Sequence, residues 1–396
     1  MREKNQMSIC VGGSASNNIS KFNKCANCGA CYNACPTGAI TVKEGIFYSV
    51  EVDEDKCVNC GKCVKVCPVN TYSKEQNIIA GYSAEHYSDD VILQSSSGGA
   101  FSALAHYILE QGGVVWGAGY NDSCDKVVFL STNDTSLDNL RRSKYVESSV
   151  GDSFKKIKEI LDKGQKVLFC GTPCQVAGLK RFVGDKDYLY TLDFACGGLA
   201  SHELYKEWLD SLKSKYKSKI SKVNFRSKHF GWGIHCIAVD FQNGMKYVKP
   251  AVIDPYFASF INGKKSVREY CYECQFSDNH YADLILADYW KYKETYKTTN
   301  NDGISLILVN SEKGAVLMEK IKTVMNVQQL PLDKATYNIK RTVMSTERYN
   351  KREAFLDMAK KDGLYRAAEK YSLPKTFNKI LYCVRVYLKK AIQRRK

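Results

Sequence analysis

Cys25-Ala-Asn-Cys28-Gly-Ala-Cys31-Tyr-Asn-Ala-Cys35-Pro36 and Cys57-Val-Asn-Cys60-Gly-Lys-Cys63-Val-Lys-Val-Cys67-Pro68 are two copies of one pattern, C-x2-C-x2-C-x3-C-P, matched at every cysteine, at one glycine and at the proline. In such a run three thiolates hold a [4Fe-4S] cubane while the fourth crosses to the cluster held by the other run. The expected ligand sets are Cys25, Cys28 and Cys31 with Cys67, and Cys57, Cys60 and Cys63 with Cys35. Cubane iron is soft and prefers thiolate sulfur. Asn27-Cys28-Gly29 and Asn59-Cys60-Gly61 supply the tight turning that wraps three sulfurs around one corner. Pro36 and Pro68 fix the exit of each run. A structural zinc site would more often present two separated C-x2-C knuckles. The N-terminal module therefore reads as a small two-cluster ferredoxin-type domain over residues 25–72, preceded by a polar tail, 1–24.

The chain has 396 residues, too many for a ferredoxin alone, and its 44% hydrophobic and 12% aromatic content is that of ordinary globular protein. The N-terminus carries no apolar run of signal-peptide length, so the 17 cysteines point to a reducing, cytoplasmic setting rather than to disulfides. No segment has the length and apolarity of a membrane span. The formal charge is +16, reduced in practice because each oxidised tetrathiolate cubane carries about −2. Much of the excess lies at the C-terminus: Lys375, Lys379, Arg385, Lys389, Lys390, Arg394, Arg395 and Lys396 have no acidic residue among them, while Phe377, Ile380, Leu381, Val384, Leu388 and Ile392 recur at helical spacing. This basic amphipathic helix either docks on its own domain or meets an anionic membrane surface or acidic partner. No nucleic-acid reading motif accompanies the basic residues, which disfavours that class.

Beyond Ile78 the pattern changes to strands alternating with helices, the signature of an α/β core with parallel pairing. Helices are expected over 100–111, 154–161, 175–182 and 201–212, and strands at 114–120, 166–170 and 189–194. Residues 223–290 read as an inserted α+β layer of short strands, including 284–288, and the chain from 313 onward as mostly helical. The expected division is a mixed α/β domain over 78–330 and a helical region over 331–396.

Two further groups carry chemistry. Ser95, Ser96, Ser97, Gly98 and Gly99 place hydroxyls and unhindered N–H groups at a helix start, a setting suited to phosphate but also to a plain N-cap. Cys174 opens a helix after a strand, a position that lowers a thiol pKa; Cys196 follows the next strand, and Cys271 and Cys274 form a C-x2-C pair. These four could converge on a third cluster. Inert buried thiols and a redox-active Cys271–Cys274 disulfide compete with that reading.

The motifs Ser96-Ser-Gly-Gly99, Ser143-Lys144-Tyr145-Val-Glu-Ser148, Leu168-Phe-Cys-Gly171-Thr172-Pro173-Cys174-Gln175, Cys196-Gly-Gly198, Phe225-Arg226-Ser-Lys228, Arg268-Glu-Tyr-Cys271-Tyr-Glu-Cys274 and Asp288-Tyr-Trp290 together resemble the family of coenzyme F420 hydrogenase and dehydrogenase beta subunits, in the form with a fused two-cluster ferredoxin module. The resemblance implies FAD, a third [4Fe-4S] cluster held by Cys174, Cys196, Cys271 and Cys274, and a chain that passes electrons between a two-electron organic carrier and one-electron clusters. It makes Ser96, Ser97, Gly98, Gly99, Lys144 and Tyr145 the candidate flavin contacts and Arg226 and Lys228 the candidate substrate contacts, with no catalytic residue assigned. The sequence departs from the family where Gly197 follows Cys196 in place of a frequent histidine, and where Ala287 replaces a glycine. The expected partners are a redox protein or ferredoxin and a small-molecule carrier. Two rival readings are a ferredoxin-fed flavin reductase of a small molecule, such as a sugar or cell-envelope precursor, and a non-catalytic electron-transfer component.

Overall fold

The computed structural model describes residues 17–22, 24–74, 77–291, 302–336 and 351–393. The tail as far as residue 16, and Arg394, Arg395 and Lys396 of the basic terminus, lie outside the described residues.

In the N-terminal module each cysteine run makes its turn with left-handed backbone at Asn27 and Gly29, and again at Asn59 and Gly61. Glycine reaches that region without the clash a Cβ brings, and asparagine tolerates it better than most residues. Short helices follow at Ala30–Ala34 and Lys62–Lys65. Between them β1 (Ile40–Lys43) and β2 (Ser49–Val52) pair antiparallel.

The larger part is built on β3 (Ala80–His86), β4 (Val114–Tyr120), β5 (Val127–Ser131), β6 (Val167–Cys170), β7 (Leu189–Phe194), β8 (Ile220–Asn224), β9 (Cys236–Phe241), β10 (Lys246–Pro250), β11 (Leu284–Asp288), β12 (Ser305–Val309) and β13 (Met325–Leu330). Eight of these form one sheet in the order β13-β3-β12-β11-β7-β6-β4-β5. Its centre, β11-β7-β6-β4, is parallel, and the strands outside it run antiparallel to their neighbours. Successive residues of the central strands feed opposite faces: Val114, Trp116, Val167 and Phe169 enter a core with the helices Ser153–Asp162 and Pro173–Val183, while Val115, Leu168 and Leu192 enter one with Ala100–Glu110 and Glu312–Ile321. This period of two, with both faces covered, is why these strands read as continuous apolar runs.

A separate antiparallel sheet, β10-β9-β8, packs with the helices His202–Tyr216 and Pro255–Ile261 around Trp208, Phe225 and Tyr256. The expected α+β layer is thus present, with one correction: Leu284–Asp288 leaves it and returns to the main sheet as β11, parallel to β7. The expectation of helix from 313 onward also needs correcting, because Met325–Leu330 forms an edge strand against β3. Its alternation of buried and exposed positions was masked by polar Asn326, Gln328 and Gln329. Helices Arg352–Asp362 and Leu364–Tyr371 close the second core through Phe355, Leu356, Leu364 and Ala367.

The N-terminal module shares a core with the large domain. Ala26, Cys28 and Ala30 pack with Phe154, Cys174, Val176 and Ala177. Around that seam lies a buried polar knot: Glu147, fully inaccessible, accepts hydrogen bonds from Arg268 (Nε 3.1 Å and NH2 2.9 Å) and from the Tyr48 N–H (2.5 Å), and pairs with His202 Nδ1 (2.9 Å). The Tyr48 and His202 rings stack at 3.7 Å.

Candidate redox site

Two small hollows mark the N-terminal module. One of about 40 Å³ is lined by Cys25, Cys28, Cys31 and Cys67; the other, about 20 Å³, by Cys35, Cys57, Cys60 and Cys63. Each hollow thus brings together the four cysteines of one expected crossed set. The sulfurs already receive hydrogen bonds of the sort that stabilise thiolate: Asn27 N–H to Cys25 (3.4 Å), Ala39 N–H to Cys35 (3.3 Å) and Asn18 Nδ2 to Cys57 (3.5 Å). Among the described residues no three Cys, His, Asp or Glu side chains close around a single ion; a cubane is several atoms across and spreads its thiolates more widely.

Cys174, Cys196, Cys271 and Cys274 are brought together by three separate elements. Thr172 and Gln175 form a capping box, with the Thr172 N–H on Gln175 Oε1 at 2.9 Å, so that Pro173 and Cys174 occupy the first turn after β6. Cys196 follows β7, and a short turn, Glu269–Glu273, presents Cys271 and leads to Cys274. Cys174 lies within electrostatic reach of Cys274 and Cys196, and Cys271 of Cys196 and Cys174. The expectation of a depressed Cys174 pKa is corrected: burial first, then the neighbouring thiols, push it up. Desolvation of a thiolate in an apolar setting outweighs the helix dipole there. Cys274 rises to about 12 for the same reasons, burial first.

Cys28 and Cys174 stand next to each other across the seam. A Cβ built on Gly178 would lie 3.1 Å from Cys28 Sγ, Cys174 Sγ is 3.6 Å from the Ala26 carbonyl oxygen, and Cys174 contributes to the raised pKa of Cys28.

Cys196 also lines a cavity of about 360 Å³, within the range of small-molecule and cofactor sites. The cavity opens where the parallel strands end. Gly117 and Ala118 of β4, Cys170 of β6, Phe194 of β7 and Leu286 to Asp288 of β11 all line it, the place where open α/β sheets bind ligands. Of the candidate flavin contacts, Ser96, Ser97, Gly99, Lys144 and Tyr145 line it. Gly98 is wedged behind the loop, where a Cβ would meet the Ala84 carbonyl oxygen at 2.3 Å and the Ser305 nitrogen at 2.7 Å. Gly99 has φ +93 and begins the helix Ala100–Glu110 without a side-chain cap, and Gly99, Ala100 and Phe101 line the cavity.

Arg141, Arg142, Lys144, Arg226 and Lys264 make the wall predominantly cationic. Burial lowers the Lys144 pKa to about 7, with its ammonium on the carbonyl oxygens of Arg141 (2.7 Å) and Arg142 (3.3 Å). Of the two substrate candidates, Arg226 lines the cavity, ion-paired with Asp288 at 2.7 Å. Lys228 instead stands behind the serine loop, donating to the carbonyl oxygens of Ile92 and Ser97. Sequence reasoning missed Arg141, Arg142, Lys264, His235 and Cys170; only Cys170 lay within a quoted motif with a chemical signal of its own.

Residues 164–334 match the family described as the C terminus of the coenzyme F420 hydrogenase/dehydrogenase beta chain, and residues 24–71 match a 4Fe-4S dicluster domain, with a second dicluster description matching 49–95. Among curated proteins the chain is 23% identical over 338 residues to the coenzyme F420-dependent sulfite reductase of Methanocaldococcus jannaschii, covering 79% of this chain and 48% of that protein. It is 21% identical over 322 residues to the F component of the F(420)H(2) dehydrogenase of Methanosarcina mazei, covering 78% of this chain and 85% of that one. The chain thus spans about half the length of the first relative and most of the second. Among solved structures, a chain of the F420-reducing [NiFe] hydrogenase complex from Methanosarcina barkeri aligns at 16% identity and a TM-score of 0.46, covering 76% of this chain and 97% of that chain. The match to the C terminus of the coenzyme F420 hydrogenase/dehydrogenase beta subunit thus covers residues 164–334, behind residues that match a 4Fe-4S dicluster domain.

Proposed function

We propose that the chain is an iron–sulfur flavoprotein oxidoreductase that passes electrons between an organic two-electron carrier in the large cavity and a partner protein at the dicluster module. The observation that carries this reading is spatial order: the Cys35/57/60/63 hollow, the Cys25/28/31/67 hollow, the Cys174/196/271/274 group and the cavity follow one another, with Cys28 beside Cys174 and Cys196 in the cavity wall. The donor set of each group is wholly thiol, which suits cubane iron. FAD, when bound, would supply hydride exchange with the carrier and single-electron exchange with the nearest cluster.

The residues present fit an anionic dinucleotide. The open helix start at Gly99 and the cations Arg141, Arg142 and Lys144 would neutralise a pyrophosphate. Tyr145, with Phe257 and Phe260 packed on it at 4.9 and 5.3 Å, forms an aromatic wall for a planar ring. The Arg226–Asp288 pair, with the Arg226 guanidinium 5.7 Å from the Trp290 ring, holds one side of the rim in place for the carrier. Burial pushes His235, at the same rim, down to about 4, so it stands neutral near pH 7 and offers a ring nitrogen rather than a charge.

The test is anaerobic reduction of the cluster- and FAD-loaded chain by reduced coenzyme F420, NADH, NADPH and reduced ferredoxin in turn, followed at the flavin and cluster bands. Coenzyme F420 comes first because both curated relatives are named for it. Bleaching of both bands by one organic carrier supports the reading; failure to retain FAD leaves an electron-transfer component, and reduction by ferredoxin alone reverses the direction.

A further inference from the structure

The helix Thr376–Gln393 carries a surface that the redox chemistry does not use. One side rests on the second sheet: Tyr382 and Val386 pack with Phe230, Cys236 and Val248, and the Tyr387 ring meets Phe230 edge-on at 5.2 Å. The opposite side is bare. Phe377 is 76% exposed and Ile380 60%, and Leu381 and Val384 are exposed with them. Residues three, four and seven apart share a helix face, so these four form one continuous stripe. Isolated exposed apolar residues need no explanation, whereas an ordered row of them marks an interaction surface.

The sign of the partner follows from charge. From Pro374 to Lys396 the sequence holds eight basic residues and no acidic one. At helical spacing Arg385 borders the stripe beside Leu381, while Lys379 lies on the packed side with Tyr382 and Val386, within electrostatic reach of Lys249, which in turn feels Lys215. The side chains of Lys389 and Lys390, and residues 394–396, lie outside the described residues and enter only as sequence. Among the described residues no helix is long and apolar enough to cross a membrane.

We infer that this helix is a peripheral anchor that lies in the plane of an anionic lipid bilayer, with Phe377, Ile380, Leu381 and Val384 in the acyl boundary and Arg385 on the headgroups. An amphipathic helix binds such a surface through its apolar face and its charge together. The anchor would hold the dicluster module and cavity near a membrane without contributing to either, since none of its residues lines the cysteine hollows or the large cavity.

The experiment is flotation of the full-length, cluster-loaded chain with vesicles of phosphatidylcholine alone or mixed with phosphatidylglycerol. The chain should float with the mixed vesicles and not with the neutral ones, and added salt should release it. Phe377→Asp combined with Val384→Asp should abolish flotation with bound iron unchanged, and Arg385→Gln should weaken it about fivefold. The inference is overturned by absence of flotation, by equal flotation with neutral vesicles, or by flotation that survives the double substitution. It is equally overturned if the stripe pairs with a second copy, seen as a lipid-free dimer that the double variant dissociates, or if polyglutamate but no vesicle retains the chain.

Discussion

The cysteines of the dicluster module and those beside the cavity are gathered in different ways. In the module, three thiols of each group come from one short run and the fourth from its twin, so backbone turns at Asn27-Cys28-Gly29 and Asn59-Cys60-Gly61 build the site locally. Cys174, Cys196, Cys271 and Cys274 meet only because β6, β7 and the Glu269–Glu273 turn end at the same place. The first arrangement needs a few correct turns; the second needs the whole parallel sheet. One is therefore legible from spacing, and the other is not.

The sharpest way to break this comparison is to count iron. The anaerobically reconstituted chain should hold about twelve irons, four to each cluster, and Cys174→Ser or Cys271→Ser should lower the count to about eight while leaving the signals of the N-terminal pair intact. An unchanged count would reduce the second group to buried thiols. Cys60→Ser, by contrast, should remove the outer cluster and leave the group at the cavity untouched.

The same contrast governs what could be read before the fold was known. Both crossed ligand sets follow from one repeated pattern, and the central strands β4, β6 and β7 follow from their apolar runs and glycine stops. β11 was misplaced because Leu284–Asp288 is short and its partner β7 is remote in sequence, so no local signal reports a parallel pairing. The cationic wall was half seen: Lys144 lay in a family motif, whereas Arg141, Arg142 and Lys264 become cavity residues only through the closing of the sheet ends. Lys228 shows the opposite error, since a cation beside a site in sequence serves the loop's carbonyl oxygens in space.

The seam between the two regions offers the next test. Arg268→Met leaves the fully buried Glu147 carboxylate without its strongest partner, which should destabilise the chain by about 3 kcal/mol, because an uncompensated buried charge keeps its desolvation cost. Adding Glu147→Gln should recover part of that loss. Thermal unfolding measures both. If the double variant is as unstable as the sum of the singles, the pair is not acting as a charge pair.

A smaller effect separates the cavity from the module by pH. Burial holds Lys144 at about 7, so its ammonium is lost as pH rises through that value, and affinity for FAD, read by fluorescence quenching, should fall over the same range. Lys144→Met should bind FAD weakly and without this pH dependence. Stability moves the other way: with its folded pKa below the ordinary lysine value, this group makes the fold more stable as pH rises from about 7 toward 10.5.

The smallest predicted change joins the two regions. Gly178 lies on the helix Pro173–Val183, one turn beyond Cys174, and a Cβ there would sit 3.1 Å from both Cβ and Sγ of Cys28 and 3.4 Å from Ala30 Cβ. The helix backbone at this position accommodates alanine, so a Gly178→Ala variant gains helix propensity while it crowds the neighbouring cysteine turn. The two effects nearly cancel, and the net change in stability should be within about 1 kcal/mol. Local geometry should respond more than stability: the crowded ligand is one that the module supplies to the hollow facing Cys174. Full iron content with an altered spectroscopic signature confined to that middle cluster is the expected result. If the substitution perturbs the outer cluster instead, Cys28 is not the contact between the two regions, and the proposed order of the thiol groups fails at its central link.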